Sequence, residues 1–392
     1  MSHVVVIGGG NGGITTAARL VRDGFEVSVV EPRETHVYRP LLSFVGAGRA
    51  SLAAALRDQA ATIPDGCRWV RERVTSVDPQ TSTVNLGDGT PLRYDQLVVA
   101  SGMEADWQAC PGLAESLLTD SASSNFITDL APKTWRLVQA LRSGTALFTL
   151  PPGPVSNGGS ALKALFMSCD YWRATGRLGD IKPVFVTPTS TVFGIPEVDQ
   201  RIAGVLAGYG VSVVAESVVT SVSAEENVAR LSTGGGPGKD VRFTFAHFVP
   251  PYRPAAWITS SGLSGDGADG FVAVDPRTLQ HRQWPNVWAI GDVAGTPNSK
   301  AGAAIRKQAP VVAANLAAVD RGGEPTEHYD GYSAAPIAVS RRTLSLFEFD
   351  EAYRPAPSTR WLDLTKPRRT AWLFDRYGFP QVYWRRILRG KA

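Results

Sequence analysis

The apolar positions of the first thirty residues form two short runs separated by a helical pattern. Residues 3–7 predict a buried strand, residues 14–22 carry apolar side chains at helical spacing, and residues 26–30 predict a second strand. Further elements are predicted after this unit: a helix in the small-residue run 45–56, and strands at 69–77, 83–86 and 96–99. A strand–helix–strand unit of this kind is typical of a parallel α/β sheet.

A second strand–turn–helix pattern begins near residue 146. The predicted elements are strands at 146–150, 183–187, 212–215, 271–274 and 287–290, helices at 160–175, 197–207 and 301–319, and a hairpin or mobile loop at 233–239. The alternation predicts an α/β fold with two Rossmann-like domains and a C-terminal segment that is rich in aromatic and basic residues. The expected boundaries are 1–105 with 271–335, 106–270, and 336–392.

The chain between the first strand and the first helix carries a G-x-G-x-x-G turn at Gly8, Gly10 and Gly13. In this pattern the first glycine makes the tight turn, the second lets the backbone approach a pyrophosphate, and the third lets the helix pack against the strand. The helix N-terminus then favours an anion, and Glu31 at the end of the second strand can accept a hydrogen bond from a ribose. The sequence therefore predicts a dinucleotide site.

Composition limits the class of protein. At 392 residues, with 43% apolar and 19% charged residues, the chain is globular and large for one core. It begins almost directly with a predicted strand and has no run of membrane-spanning length, so a cytoplasmic location is expected. Cys67, Cys110 and Cys169 are far apart and indicate neither a disulfide framework nor a metal site; helical spacing places Cys169 on a core-facing surface.

Two later features bear on ligands. The second unit has the turn PPGPVSNGG at residues 151–159, where a nicotinamide dinucleotide site would have closely spaced glycines, so NAD(P)H binding there is the less favoured interpretation. An apolar strand ends in Gly291-Asp292, which places a carboxylate at the sheet edge where open α/β folds bind ligands. We expect Glu31 and Asp292 at the ends of neighbouring parallel strands.

Several separated motifs, in the same order, resemble the sulfide:quinone oxidoreductase family, especially the type found in mitochondria and many bacteria. They are the glycine turn, Glu31-Pro32, HVYRP at 36–40, VGAG at 45–48, QHR at 280–282, IGD at 290–292, Ser299-Lys300, YDGY at 329–332, EFD at 348–350, Tyr383-Trp384 and LRG at 388–390. The resemblance covers nearly the whole chain.

The resemblance implies FAD in the first domain, with Asp292 toward the ribityl–phosphate side and Lys300 and the following helix start near the isoalloxazine. It also implies a quinone site in the C-terminal segment. The expected cofactor-binding residues are Gly8, Gly10, Asn11, Gly12, Gly13, Glu31, Pro32, Tyr38, Pro40, Val74, Ala100, Ser101, Gly102, Gly291, Asp292 and Lys300. His36 and Tyr38 are expected to line the cofactor loop as structural groups.

The chain departs from the family at the sulfide-oxidising cysteine pair. Asn157 and Val293 stand at the matching positions, and neither can form a thiolate or persulfide. These two residues and Lys300 are therefore the candidate flavin-facing residues, and no general base is assigned.

The C-terminal tail concentrates positive charge and aromatic residues. Residues 360–392 contain nine Lys or Arg and two Asp, a local charge of +7, which leaves −3 on residues 1–359 from the total of +4. The tail either packs its aromatic side chains onto the core or lies at a membrane interface with its basic groups on anionic lipid. Nucleic acid is not an expected partner, because no binding motif is present.

The leading hypothesis is an FAD-dependent oxidoreductase that takes electrons from a small molecule other than sulfide and delivers them to a quinone or another acceptor. The alternatives are a flavin-binding regulatory protein without turnover and an NAD(P)H-dependent flavoprotein dehydrogenase. The expected partners are the small-molecule donor, a quinone, the membrane surface in a peripheral association, and a second copy of the chain in a homodimer.

Overall fold

The computed structural model describes residues 2–156, 158–265, 269–297, 300–359 and 361–392. Its first sheet has five parallel strands, and its order across the sheet is Val287–Ala289, Gln96–Val99, His3–Ile7, Glu26–Val30 and Cys67–Val70. Val4 and Val6 face one apolar cluster while Val5 and Ile7 face another. Burial on both faces explains why this strand is an apolar run without alternation.

Different elements cover the two faces of the first sheet. Helices Asn11–Arg22 and Gly302–Asp320 pack on one face around Ile14, Leu20 and Leu316. The other face packs against an antiparallel sheet of three strands, Val74–Asp78, Thr83–Leu86 and Pro91–Arg93.

The second parallel sheet has the order Ala122–Ser123, Phe245–His247, Gly144–Thr149, Ile181–Val186 and Ser212–Val214. Helices Gly159–Ala174 and Pro196–Tyr209 pack on it around fully buried Trp172 and Phe185. Cys169 is fully buried in the same cluster, so the prediction that it faces the core is confirmed. An antiparallel sheet of Ser217–Ser223, Val228–Thr233, Gly236–Pro237 and Val241–Arg242 extends from it.

Short elements connect and complete the two units. The strands Glu104–Ala105 and Tyr252–Arg253 pair antiparallel, as do Thr35–Val37 and Leu56–Asp58, and Ser333–Ala338 and Leu344–Phe349 form a hairpin. Outside the C-terminal segment, the other α-helices of the described residues are Leu42–Val45, Leu113–Ser116, Ala131–Ala140 and Ala256–Ser260. Single 3₁₀ turns occur at Arg39–Leu41, Leu52–Ala55, Thr128–Leu130, Leu178–Asp180 and Gly291–Val293.

The C-terminal segment is helical from Arg369 to Ile387, with α-helical turns at Arg369–Leu373 and Phe379–Val382 and π-helical turns at Phe374–Gly378 and Tyr383–Ile387. Its buried side chains follow helical spacing, and they include Trp372, Asp375, Tyr383 and Ile387. Leu373, Phe374 and Tyr377 on the opposite side are about half exposed. Across the described ranges of the chain, no helix is long and apolar enough to cross a membrane.

Three predicted elements are wrong. The helix predicted at 45–56 is a single 3₁₀ turn followed by the strand Leu56–Asp58, because Gly48 adopts a left-handed φ of +64° and Trp135 fills the space beside it. The strand predicted at 69–77 is two strands, since the chain leaves the parallel sheet after Val70 and joins the antiparallel one at Val74. Residues 271–274 make only isolated bridges.

Candidate cofactor site

The carboxyl ends of the parallel strands meet at one edge of the first sheet. The amide of Gly8 donates to the carbonyl of Val30 (2.8 Å), and that of Ala100 donates to the carbonyl of Ile7 (2.8 Å). Glu31 and Asp292 follow strands that end at this same edge. The prediction that their strands are neighbours is wrong, because the strands His3–Ile7 and Gln96–Val99 lie between them.

The glycine turn has a different steric demand at each position. Gly8 has a φ of +107°, which a residue with a side chain rarely adopts, and a β-carbon at Gly13 would overlap the carbonyl of Gly8. A β-carbon at Gly10, in contrast, would meet no atom within 4 Å among the described residues. This open space lies at the first turn of helix Asn11–Arg22, which has no side-chain cap. The turn therefore fits a pyrophosphate, which the backbone N–H groups of this uncapped helix start would bind.

The Glu31 carboxylate is held by its neighbours and is almost fully buried. It accepts hydrogen bonds from the amide of Gly9 (2.8 Å) and from the amide and Nε of Arg33 (3.0 Å each). Burial alone would raise the pKa of Glu31, but the hydrogen bonds and charge of Arg33 and the amide of Gly9 lower it below its ordinary value. The carboxylate is thus ionised at neutral pH. A ribose hydroxyl that donates a hydrogen bond to the Glu31 carboxylate would share this carboxylate with Arg33.

The strand Gln96–Val99 ends in small residues at the centre of the edge. The hydroxyl oxygen of Ser101 is buried without a hydrogen-bond partner in the described part of the chain, and Gly102 has a φ of +69° with open space beside it. A buried polar atom without a partner is costly, so its presence indicates a ligand position. Ser101, Gly10 and Glu31 together fit a dinucleotide cofactor that crosses this edge.

Lys300 lies near the start of helix Gly302–Asp320. Its ammonium donates to the carbonyl of Thr296 (3.3 Å) and to that of Ala294, and it lies 4.7 Å from the ring centre of Phe271. Burial lowers its pKa to about 8, although the charge of Asp292 raises it. At the helix start, Asn11 donates to the carbonyl of Gly302 (3.5 Å), so the first turns of the two helices lie side by side.

A cavity of about 1030 Å³ opens beside Lys300. Its lining combines apolar side chains from both units with a few charged groups, and includes Val155, Phe193, Phe271, Lys300 and Tyr353. This volume accommodates an organic molecule of drug or cofactor size.

The two positions that match the family's cysteines do not both lie at this cavity. Val293 is fully buried and packs in the apolar cluster with Val272 and Ala294. Its side chain therefore lies in the core, and the interpretation of Val293 as a flavin-facing group stays a prediction. Asn157 and Ser299 lie outside the described residues.

Two residues predicted to line the cofactor loop, His36 and Tyr38, contact the C-terminal segment, and His36 also lies near Gly9 of the glycine turn. His36 Nε2 lies 2.6 Å from the Tyr383 hydroxyl, and the rings of Tyr38 and Tyr383 are 4.4 Å apart. Burial lowers the pKa of His36 to about 4, so this histidine is neutral at pH 7. Pro32 is exposed and Pro40 is partly exposed. Val74 is buried in the apolar cluster below the sheet, and nothing there marks it as a ligand contact.

Some groups at this edge were not found from the sequence. Gln59 donates to the carbonyl of Gly9 (3.0 Å) and Arg33 covers Glu31, but neither belongs to a motif. Arg33 could have been identified from the sequence by its position, two residues after Glu31, the predicted ribose-binding residue.

Comparisons with known proteins agree with this architecture. The sequence model of the family "Pyridine nucleotide-disulphide oxidoreductase" matches residues 2–148. The mitochondrial sulfide:quinone oxidoreductase of Mus musculus is 32% identical over 99% of this chain and 86% of its own, and that of Dictyostelium discoideum is 32% identical over 100% and 87%. The crystal structure of the sulfide:quinone oxidoreductase of Aquifex aeolicus superposes with a TM-score of 0.83 at 21% identity, covering 100% of this chain and 92% of that one.

Proposed function

The chain belongs to the sulfide:quinone oxidoreductase family and is an FAD-dependent oxidoreductase, and we propose that its electron donor is a small molecule other than sulfide. The observation that carries this proposal is the residue after Gly291-Asp292. A valine stands where the family resemblance places a reactive cysteine, and its side chain is buried.

The cysteines that the chain does contain cannot replace that nucleophile. Burial raises the pKa of Cys67 to about 12 and that of Cys110 to about 11, and it raises the pKa of Cys169 further. A thiol needs a lowered pKa to act as a nucleophile at neutral pH. Sulfide oxidation through a persulfide is therefore unsupported in this chain.

We place FAD in the domain formed by residues 1–105 and 271–335. The N–H groups at the start of helix Asn11–Arg22 would bind its pyrophosphate, Glu31 would accept from its ribose, and Ser101 would donate to it. When bound, FAD supplies a two-electron acceptor that can be reoxidised by a quinone. The ammonium of Lys300 would hold a positive charge beside the ring, and the apolar lining of the cavity would exclude water from it.

The acceptor is proposed to be a quinone, reached from the C-terminal segment of residues 336–392. Relatives named sulfide:quinone oxidoreductase and type II NADH:quinone oxidoreductase support a quinone. The exposed Leu373, Phe374 and Tyr377 support a peripheral association with a membrane on its cytoplasmic side. We also propose that two copies of the chain form a homodimer.

The test is an anaerobic screen of electron donors against the purified flavoprotein, monitored by the loss of flavin absorbance. We expect sulfide to reduce the flavin at least a hundredfold more slowly than it reduces the mouse enzyme under the same conditions, and an organic donor to reduce it within seconds. Reduction by sulfide at the rate of the mouse enzyme would overturn the proposal.

The same screen separates two other functions. A protein that binds flavin without turnover would show no cycles of reduction and reoxidation with any donor. Rapid reduction by NADH or NADPH would identify a dehydrogenase, which is the function named for the type II NADH:quinone oxidoreductase of Mycobacterium tuberculosis, 25% identical over 86% of this chain.

A further inference from the structure

Asn125 has a buried side-chain amide whose polar atoms have no partner. The residue is 4% exposed, and neither its Oδ1 nor its Nδ2 makes a hydrogen bond with any described residue. Asn315, which is fully buried, gives the contrast: its Nδ2 donates to the carbonyls of Thr278 (3.2 Å) and Glu327 (2.8 Å), and its Oδ1 accepts from the Glu327 amide (2.8 Å). Buried amides with structural roles are satisfied in this way.

Hydrogen bonds hold the backbone around Asn125 in place, and they therefore fix the direction of its side chain. The Asn125 amide donates to Nε2 of His247 (2.9 Å), at the point where the strands Ala122–Ser123 and Phe245–His247 end side by side. Burial lowers the pKa of His247 to about 4, so the imidazole is neutral and Nε2 can accept. The next amide, of Phe126, donates to the Ser124 hydroxyl (3.2 Å).

The opposite wall is the loop that follows the short helix Leu42–Val45. A β-carbon at Gly46 would overlap Oδ1 of Asn125, so this loop approaches the amide with its backbone. The loop is itself held in place, because Trp135 packs beside Gly48 and Nε of Arg341 donates to the carbonyl of Ala47 (3.2 Å). The space for the carboxamide is therefore built by the fold.

The residue that follows Asn125 packs toward the edge that carries Asp292. The ring of the adjacent Phe126 lies 6.5 Å from the ring of Tyr252. Burial raises the pKa of Tyr252, the charge of Arg39 lowers it, and that of Asp292 raises it, so both charges lie near its hydroxyl. The segment of Asn125 and Phe126 therefore packs near Tyr252, and the side chain of Asn125 lies against Gly46 of the first unit, so this segment lies where the two units meet.

We propose that the carboxamide of Asn125 binds the polar edge of the flavin ring, donating from Nδ2 to a ring carbonyl and accepting at Oδ1 from a neighbouring ring N–H. A carboxamide that lacks both a donor and an acceptor partner matches a ligand edge that offers both. A quinone headgroup offers carbonyl acceptors alone and would leave Oδ1 unsatisfied. The inference rests on the proposed binding of FAD and adds a residue that fixes the ring.

The experiment compares wild-type protein with Asn125→Leu, Asn125→Ala and the control Asn315→Leu, each stripped of flavin. Two quantities are measured: the thermal midpoint of the apoprotein, and the FAD dissociation constant with the visible spectrum of the complex. Since Asn125 is unsatisfied in the apoprotein, we expect its variants to keep or raise the thermal midpoint while binding FAD about tenfold or more weakly, with a shifted flavin spectrum. Asn315→Leu should lower the midpoint and leave FAD binding to the folded protein unchanged.

Every other result contradicts either the role inferred for Asn125 or the proposed function. FAD affinity and spectrum within twofold of wild type in both Asn125 variants would overturn the inference. An unchanged flavin with a raised KM for the quinone would also overturn it, by assigning the carboxamide to the acceptor. A thermal midpoint that falls as far as in Asn315→Leu, with unchanged FAD affinity, would assign Asn125 a structural role. If the wild-type apoprotein binds no FAD, the proposed function fails instead.

Discussion

The ammonium of Lys163 lies 3.1 Å from a carboxylate oxygen of Asp375, and both side chains are almost fully buried. Lys163 belongs to helix Gly159–Ala174 of the second unit, whereas Asp375 belongs to the C-terminal helical segment. The ring of Phe44, from the first unit, lies 5.4 Å from the same ammonium. This ion pair therefore joins three parts of the chain in a place that water does not reach.

Removing one member of this pair should destabilise the protein strongly, because a buried charge then loses its partner. Asp375→Asn and Lys163→Met should each lower the free energy of unfolding by roughly 3–5 kcal/mol, whereas the double variant Lys163→Met/Asp375→Leu should recover most of the loss. Urea denaturation measures these values. Asp120→Asn is the control, because its ion pair with Arg136 is solvent-exposed and should contribute less than about 1 kcal/mol. Single variants as stable as wild type would contradict the burial of the pair.

Gly10→Val should abolish flavin retention without preventing folding. The backbone of Gly10 has a φ of −77° and the space around its Cα is open, so valine is tolerated in the apoprotein but would occupy the position proposed for the pyrophosphate. The flavin-to-protein ratio after purification and the circular dichroism spectrum test this. Gly13→Val is the contrast: its β-carbon would overlap the carbonyl of Gly8, so it should destabilise the fold itself. A yellow Gly10→Val protein would show that the cofactor lies elsewhere.

Glu31 should contribute stability that depends on pH, and it should also contribute to FAD affinity. Its folded-state pKa lies below the ordinary value of 4.5, so its contribution is present above about pH 4.5 and is lost as the pH falls through the folded-state pKa. Glu31→Gln should therefore cost stability at pH 7 and progressively less in acid, as measured by urea unfolding at several pH values. Glu31→Ala should weaken FAD binding by roughly 1–3 kcal/mol. A stability difference that grows toward low pH would contradict this account.

The first sheet and its glycine turn could be predicted from the sequence, because each step there is local: an apolar run, a steric need for glycine, and a carboxylate at a strand end. The order of the strands could not, since it depends on where Gln96–Val99 inserts between distant segments. The helix predicted at residues 45–56 failed for a related reason: alanine favours a helix, but contacts with Trp135 and Asn125 fix the chain at Gly46 and Gly48.

The candidate site likewise contains residues that could be predicted from a local motif and residues that could not. Gly10 and Glu31 were recognised by their place in a motif, whereas Asn125 has no motif and its importance lies in the partners it lacks. The prediction for Val293 rests on its position in the chain, next to Asp292. Neighbouring side chains in a 3₁₀ turn point in different directions, and the side chain of Val293 is buried in the core.

The exposed face of the C-terminal helical segment should bind membranes that carry anionic lipid. Leu373, Phe374 and Tyr377 are each about half exposed, and the Arg376 guanidinium lies 4.5 Å from the ring centre of Tyr377. Leu373→Ser/Phe374→Ser should reduce sedimentation with phosphatidylserine vesicles at least fivefold without changing the thermal midpoint. Leu118→Ser is the matched control, because Leu118 is 85% exposed and belongs to the second unit, outside the basic residues 360–392. Equal losses for both variants would show that exposed leucines bind lipid irrespective of their position.

Lys300 should give the flavin a pH dependence with a midpoint near pH 8. Its pKa is lowered to about 8, chiefly by burial, with Asp292 as the opposing charge. Below this pH the ammonium is charged and can stabilise an anionic reduced flavin, and above it that stabilisation is lost. In the wild-type protein the reduction potential should therefore fall more steeply with pH above about 8 than it does in Lys300→Met.

The same lowered pKa has a consequence for the apoprotein. Between about pH 8 and the ordinary value of 10.5, the unfolded state binds more protons at Lys300 than the folded state does. The wild-type apoprotein should gain stability as the pH rises through this window, and Lys300→Met should remove that gain. Spectroelectrochemical titration and urea unfolding at pH 7, 8, 9 and 10 measure the two effects separately. Lys307→Met is the control, since Lys307 is half exposed in helix Gly302–Asp320, which begins two residues after Lys300. If Lys300→Met keeps both wild-type pH profiles, the buried ammonium of Lys300 is not the titrating group.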